Sequence, residues 1–281
     1  MDVKESENFV TPDKIVQKMS EKIMPHKANY GIIKTFVLAM AAGAMIAFGA
    51  QASFVAGTGT DSIAWGLSKL IGGLVFSTGL MMIVLTGAEL FTGNVLICFS
   101  VFEKKTTISK LLRNWGVVYL GNFIGAATVA TLIYFSGVFH GADEALGIFA
   151  LKTAYAKVNI EPLAAITSGI LCNWLVCLAV WMATCAKDVA GKILAVLFPI
   201  TVFVISGYEH CVANMFIITN GLLIKHSYSL IHASSFTDGQ LALLNVKSFL
   251  IANLLPVTIG NILGAFLFVV CIFWIAYIKR R

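Results

Sequence analysis

Charge is what this sequence lacks. Of its 281 residues only 12% are charged and 58% are hydrophobic, and the mean hydropathy is +0.87. Soluble domains carry about 25% charged and about 45–50% apolar residues, so there is too little charge here to coat a surface in water. That excludes a soluble enzyme, a disordered chain and a secreted disulfide scaffold. The formal net charge of +6 does not bring back a nucleic-acid partner, because the basic residues are too few and too scattered to track phosphates. Paired cysteines are also missing. Cys98, Cys172, Cys177, Cys185, Cys211 and Cys271 lie within or at the ends of apolar runs, with no CxxC, and read as reduced small hydrophobes rather than metal or redox centres. There is no HExxH and no GxSxG, and four of the five histidines (His26, His140, His226, His232) fall in arms or loops. A membrane-embedded enzyme would need a nucleophile with its base, or convergent metal ligands. The chain therefore reads as a membrane protein that is not an enzyme and that holds no cofactor and no metal.

What is present is hydrocarbon-length helix. About 20 mostly apolar residues cross a bilayer, and six stretches qualify: Ile32–Ala56, the run between Lys69 and Glu103, Trp115–Phe139, Pro162–Ala186, Ile193–Ile224 and Ser248–Ile278. The second contains a lone Glu89 and the fifth a central Glu209-His210 pair, so each is expected to be interrupted at its middle. The division is a cytoplasmic N-terminal arm, residues 1–30, followed by a six-span domain, residues 31–281.

The remaining charges set the topology. An even number of spans puts both termini on one side. The arm, the loops after spans 2 and 4 and the tail hold fifteen Lys/Arg, against five (Lys69, Lys152, Lys157, Lys225, Lys247) in the opposite loops. Positive charge collects on the cytoplasmic side, so both ends read as cytoplasmic; the membrane is expected to be the cell membrane of a prokaryote. Residues 1–31 are polar, without the apolar segment of a signal peptide. Thr11-Pro12-Asp13 reads as an N-cap, a proline at N1 and an acidic first turn. Ile15, Met19 and Ile23 then form an apolar stripe beside Lys14, Lys18 and Lys22, as expected for an amphipathic helix lying on the inner membrane face or against the bundle. It would serve as an anchor, or alternatively as a gating lid.

The most informative feature is an internal repeat. Thr86-Gly87-Ala88-Glu89-Leu90-Phe91-Thr92-Gly93-Asn94 lines up with Ser206-Gly207-Tyr208-Glu209-His210-Cys211-Val212-Ala213-Asn214, and Gly121-Asn122 with Gly125-Ala126 lines up with Gly260-Asn261 and Gly264-Ala265. Two halves of three spans each, about 31–139 and 160–279, are thus related, and because three is odd the second must enter the membrane from the opposite face. Glycine-interrupted spans at matching places of inverted halves point to a transport site near the midplane, where unwound backbone is tolerated only if it lines a cavity. The GxxxG pairs read as close helix packing. Glu89 and Glu209, with Asn94 and Asn214, are equivalent by the repeat and read as scaffold, each carboxylate accepting hydrogen bonds from N–H groups freed at its break. His210 has Leu90 as its counterpart. Unshared by the other half, it is the functional candidate, since an intramembrane histidine marks ion and proton paths.

At this point Leu85–Asn94 (LTGAELFTGN), Gly169–Ala179 (GILCNWLVCLA) and Ser206–Met215 (SGYEHCVANM) resemble the signature segments of the formate/nitrite transporter family, with the resemblance covering residues 30–280. It implies an all-α, aquaporin-like fold of six transmembrane helices in two inverted repeats, with helices 2 and 5 broken, assembled as a homopentamer with one pore per protomer. Aquaporin Asn-Pro-Ala boxes are absent, and Val212-Ala213-Asn214 bears only a faint likeness to one. By resemblance His210 is the central pore histidine, Thr92 its hydroxyl neighbour and Asn173 a polar residue near it. Phe76, Leu80, Leu90 and Phe203 match the apolar constrictions, and Lys157 matches an outer-vestibule lysine; the alternative is a loop lysine that snorkels.

Physics agrees with a weak-acid path. Moving a carboxylate-sized ion from water into a dry low-dielectric region costs about 20 kcal/mol in the idealised case. The anion must either stay hydrated through the constriction or cross as the neutral acid, and an imidazole at the midplane can lend and recover the proton. The expected solute is a small monovalent anion, formate by a narrow margin, with nitrite and hydrosulfide as alternatives. Gly57-Thr58-Gly59-Thr60 looks like formate members, Gly207–His210 and Cys172–Trp174 more like the others. A neutral-solute channel of the water or glycerol type is the more distant reading.

Overall fold

The computed structural model describes residues 9–60 and 62–278. Lys4 and the tail charges Lys279, Arg280 and Arg281, used above for topology, lie outside the described residues. Apart from one antiparallel bridge between Phe9 and Ala186, the regular structure is helical. In chain order the helices are α1 (Pro12–Lys18), α2 (Met24–Ala28), α3 (Ile32–Gly57), α4 (Trp65–Thr86), α5 (Phe91–Phe102), α6 (Ile108–Phe135), α7 (Ala145–Val158), α8 (Pro162–Cys185), α9 (Val189–Ile205), α10 (Cys211–Ile224), α11 (Tyr228–Ala233), α12 (Asp238–Leu243) and α13 (Ser248–Tyr277). Five of them, α3, α4, α6, α8 and α13, are long and apolar enough to cross a membrane; α5, α9 and α10 are shorter apolar helices.

Two contacts between long helices frame the molecule. α3 lies along α6, and α8 along α13. Both rest on glycine: a Cβ on Gly125 would overlap the Met40 carbonyl, and one on Gly264 the Ile170 carbonyl. In lipid there is no hydrophobic drive between helices, so association depends on this close backbone approach, as the GxxxG spacing predicts. The outward faces stay apolar, with Ile33 82%, Leu132 64% and Phe198 62% exposed, which is what a hydrocarbon solvent demands.

α6 starts seven residues before the apolar run read from the sequence. Thr107 caps its N-terminus, accepting from the Lys110 N–H, and its polar first turns serve the arm: Lys110 Nζ donates to Asn29 Oδ1 at 2.6 Å and Arg113 to the carbonyls of Ala28 and Tyr30. The arm is not one helix. α1 passes through a π turn, Met19–Ile23, into α2. Ile15 and Met19 are completely buried while Lys14, Lys18 and Lys22 are exposed, so the amphipathic stripe packs against the bundle. Thr11 holds the N-cap position, but its hydroxyl donates to Asp13 at 2.6 Å rather than capping the helix.

Candidate transport site at two helix breaks

α4 ends at Thr86 because Gly87 takes a left-handed φ of 72°, and α9 ends where Gly207 does the same. A side chain there would be strained, whereas glycine adopts this region freely. The chain is extended at Leu90 and at His210 and becomes helical again at Phe91 and Cys211. Each restart leaves N–H groups without helical partners. Asn122 Oδ1 accepts the Phe91 N–H at 2.9 Å, and its amide donates to the carbonyls of Glu89 and Ala39. Asn261 does the same in the other half, accepting from Cys211 N at 2.9 Å and donating to the carbonyls of Glu209 and Gly169. Each asparagine thus bolts one break to two long helices, Asn122 to α6 and α3 and Asn261 to α13 and α8.

The glutamates act differently from the expectation. The hydrogen bonds described to their carboxylates come from side chains, not from backbone N–H groups, since the asparagines already take the Phe91 and Cys211 amides. Glu89 receives Asn94 Nδ2 at 2.6 Å and pairs with Lys27 Nζ at 2.9 Å. Glu209 receives Asn214 Nδ2 at 2.7 Å and pairs with Lys157. Behind them Asn94 donates to Asn114 and Asn214 to Asn253, while Asn114 and Asn253 donate to the backbone carbonyls of Lys27 and Lys157. Both halves therefore carry one Lys–Glu–Asn–Asn cluster. Lys157 is not a loop residue: it sits in the last turn of α7, and its ammonium is matched by a buried carboxylate.

His210 breaks the symmetry. Only 3% exposed, it caps α10 with Nδ1 accepting the Ala213 N–H at 3.1 Å. A backbone N–H can only donate, so Nδ1 carries no proton and the neutral imidazole carries it on Nε2. Nε2 lies 3.0 Å from Thr92 Oγ1, so the imidazole donates and Thr92 accepts. Asn173 lies one step away, donating to the Thr92 carbonyl at 3.1 Å and to the Asn261 carbonyl at 2.7 Å. It positions Thr92 rather than bonding the imidazole.

Two cavities flank this contact. One, of about 230 Å³ on the arm side, is lined by Leu80, Leu90, Lys27 and Asn94. The other, of about 170 Å³, is lined by Phe76, Phe203, Lys157 and His210. Phe76 and Phe203 meet edge to face at 5.4 Å, and the Phe203 ring lies 5.9 Å from the imidazole. The apolar residues read as constrictions are thus divided two and two, one pair with each lysine.

The family model described as formate/nitrite transporter matches residues 13–275. The chain belongs to the formate/nitrite transporter family. This is a family of membrane transporters, not enzymes. The transporter is 40% identical over 247 residues to formate channel FocA of Haemophilus influenzae, covering 87% of each chain. It is 38% identical over 266 residues to formate channel FocA of Escherichia coli K12, covering 94% of this chain and 93% of that one. Its structure is similar to a solved pentameric formate channel with formate bound, with a TM-score of 0.79 and 37% identity over 88% of this chain and 98% of that one.

Reading the transporter's sequence missed Lys27, Asn114 and Asn253. A signal for each was present. Lys27 precedes the N-cap of α3, Gly31, by four residues, as Lys157 precedes the N-cap of α8, Glu161. Asn114 precedes Asn122 by eight, as Asn253 precedes Asn261.

Proposed function

We propose that this transporter carries a small monovalent weak acid, formate first, across a prokaryotic cell membrane, with His210 as its proton partner. The proposed architecture has six spans in two inverted repeats, with α4–α5 and α9–α10 as the interrupted second and fifth spans, both termini cytoplasmic, and five protomers each with its own pore. The matched bonding at the two breaks and the 37% identity to a pentameric formate channel support it. The observation that carries the functional reading is the Thr92–His210 contact between two cavities, each ending in a lysine and an apolar pair.

The chemistry follows from the donors. The lysines draw an anion into either cavity, but each is paired with a glutamate, so neither holds the solute as an uncompensated charge would. Beyond them the apolar pairs strip water, which a carboxylate resists and a neutral acid tolerates. Among the described contacts the Thr92 hydroxyl accepts from His210 and its own hydrogen has no acceptor. Protonating Nδ1 releases the Ala213 N–H and leaves the α10 cap unmet, so the imidazolium is a transient state. Its extra proton comes from water in the cavity that His210 lines; it returns to neutral by passing a proton to the carboxylate, and the neutral acid crosses and gives its proton to water on the far side, so one proton moves with each anion. Asn173 keeps Thr92 in place throughout.

Stopped-flow flux into proteoliposomes, comparing formate, nitrite, hydrosulfide and glycerol across pH, tests the reading. Formate flux that follows the anion gradient and rises as pH falls, with glycerol at the lipid background, supports it. Glycerol flux following osmotic force without formate flux would replace it by a neutral-solute channel. Nitrite or hydrosulfide exceeding formate would reassign the solute, in line with the likeness of Gly207–His210 and Cys172–Trp174 to those members.

A further inference from the structure

A third cavity, of about 440 Å³, opens at the end of α3 away from the arm, lined among others by Lys69, Lys152, Ser53, Thr58 and Thr60. Its lining shares Ser53, Lys69, Phe149 and Val204 with the cavity that holds Lys157 and His210. The two are therefore successive chambers of one path.

Its polar groups are specialised. Thr58 donates to the Phe54 carbonyl at 2.8 Å and Thr60 to the Gly57 carbonyl at 2.9 Å, so Ser68 is left to donate to Thr60 at 2.7 Å. Those hydroxyl hydrogens are spent on holding the turn. Ser53, at the junction of the chambers, has no described partner for its hydroxyl. Lys69 and Lys152 are exposed, and among the described residues neither is paired with a carboxylate. Lys69 lies 5.8 Å from the Trp65 ring, a placement that restrains the side chain without neutralising its charge. No described acidic residue lines the cavity. Lys157, one chamber deeper, is by contrast matched by Glu209.

We infer that this chamber is an anion-collecting site in which Lys69 and Lys152, with the Ser53 hydroxyl at its inner edge, hold the transported monovalent anion before it passes to Lys157. The inference rests on the proposed anion transport. Two unpaired cations in a walled chamber raise the local anion concentration and the capture rate, whereas a neutralised pair further in does not retain the ion. The division of labour is capture outside and release inside.

The test is the concentration dependence of formate flux in proteoliposomes, for the unsubstituted protein, the double variant Lys69→Gln/Lys152→Gln and the charge-keeping Lys69→Arg/Lys152→Arg. At low ionic strength the Gln pair raises the half-saturating formate concentration about tenfold, at the low end of what electrostatic capture supplies, with maximal flux unchanged. The Arg pair behaves as the unsubstituted protein, and the difference shrinks at high salt as screening takes over. An unchanged half-saturating concentration overturns the site, as does a fall in maximal flux alone, which would make the lysines anchors to lipid. Absence of formate flux in the unsubstituted protein sinks the proposed function, and this site with it.

Discussion

Thr92 Oγ1 and His210 Nε2 meet at 3.0 Å across 118 residues of sequence, joining the break in one half of the molecule to the break in the other. Because Nδ1 accepts the Ala213 N–H, the direction of this bond is fixed: the imidazole gives and the hydroxyl receives. Thr92→Ser keeps the acceptor and should keep flux within about twofold. Thr92→Val leaves a buried Nε2–H unmet, at about 1–3 kcal/mol, and should lower formate flux about tenfold or more while flattening its pH profile. Liposome flux across pH separates the two variants.

The two Lys–Glu pairs differ in what they join. Lys27–Glu89 ties the arm to the first break, and Lys157–Glu209 ties α7 to the second. Removing one partner of a buried pair strands the other charge, at about 3–5 kcal/mol, whereas replacing both by groups of similar size is often neutral. Glu209→Gln should therefore lower thermal stability in detergent markedly, and Lys157→Met with Glu209→Gln should restore most of it. Equal melting of the single and double variants would refute the pairing.

Asn122 and Asn261 make equivalent sets of three bonds each. Leucine at either place strands the restarting N–H and the glutamate carbonyl of the break, about 1–3 kcal/mol for each buried group left unmet. Asn122→Leu and Asn261→Leu should each cost the protein several degrees of melting temperature and similar amounts, since they serve the same purpose. Hydrogen exchange at Phe91 in the first variant and at Cys211 in the second should rise selectively.

Much of this was legible in the sequence, because bilayer length, glycine punctuation and the repeat are local patterns. The left-handed glycines, Gly87 and Gly207, belong to the two Gly-x-Glu segments of the repeat, and the Gly125 and Gly264 contacts follow from their spacing. His210 was distinguished by the repeat itself, as the place where the halves disagree. The bonding partners were not legible. Glu89 meets Lys27, which in sequence is one lysine among many in a polar arm, and the capping role expected of the glutamates belongs to Asn122 and Asn261. Such pairings are set by how helices far apart in sequence come together, and a single polar residue in an apolar helix carries no local mark of its partner. Lys157, matched by resemblance to an outer-vestibule lysine, falls outside the six apolar spans, so the sequence alone leaves it in a loop; the helix that carries it, α7, follows a turn in which Ala142, Asp143 and Glu144 all take positive φ.

The central claim is that His210 couples a proton to the passage of a weak-acid anion. The most direct measurement is the pH dependence of formate flux in proteoliposomes carrying His210→Phe, a variant that keeps an aromatic ring beside Phe203 but removes both ring nitrogens. The account predicts that flux in this variant loses the rise toward low pH seen in the unsubstituted protein. A His210→Phe protein that retains the unsubstituted pH dependence would contradict it.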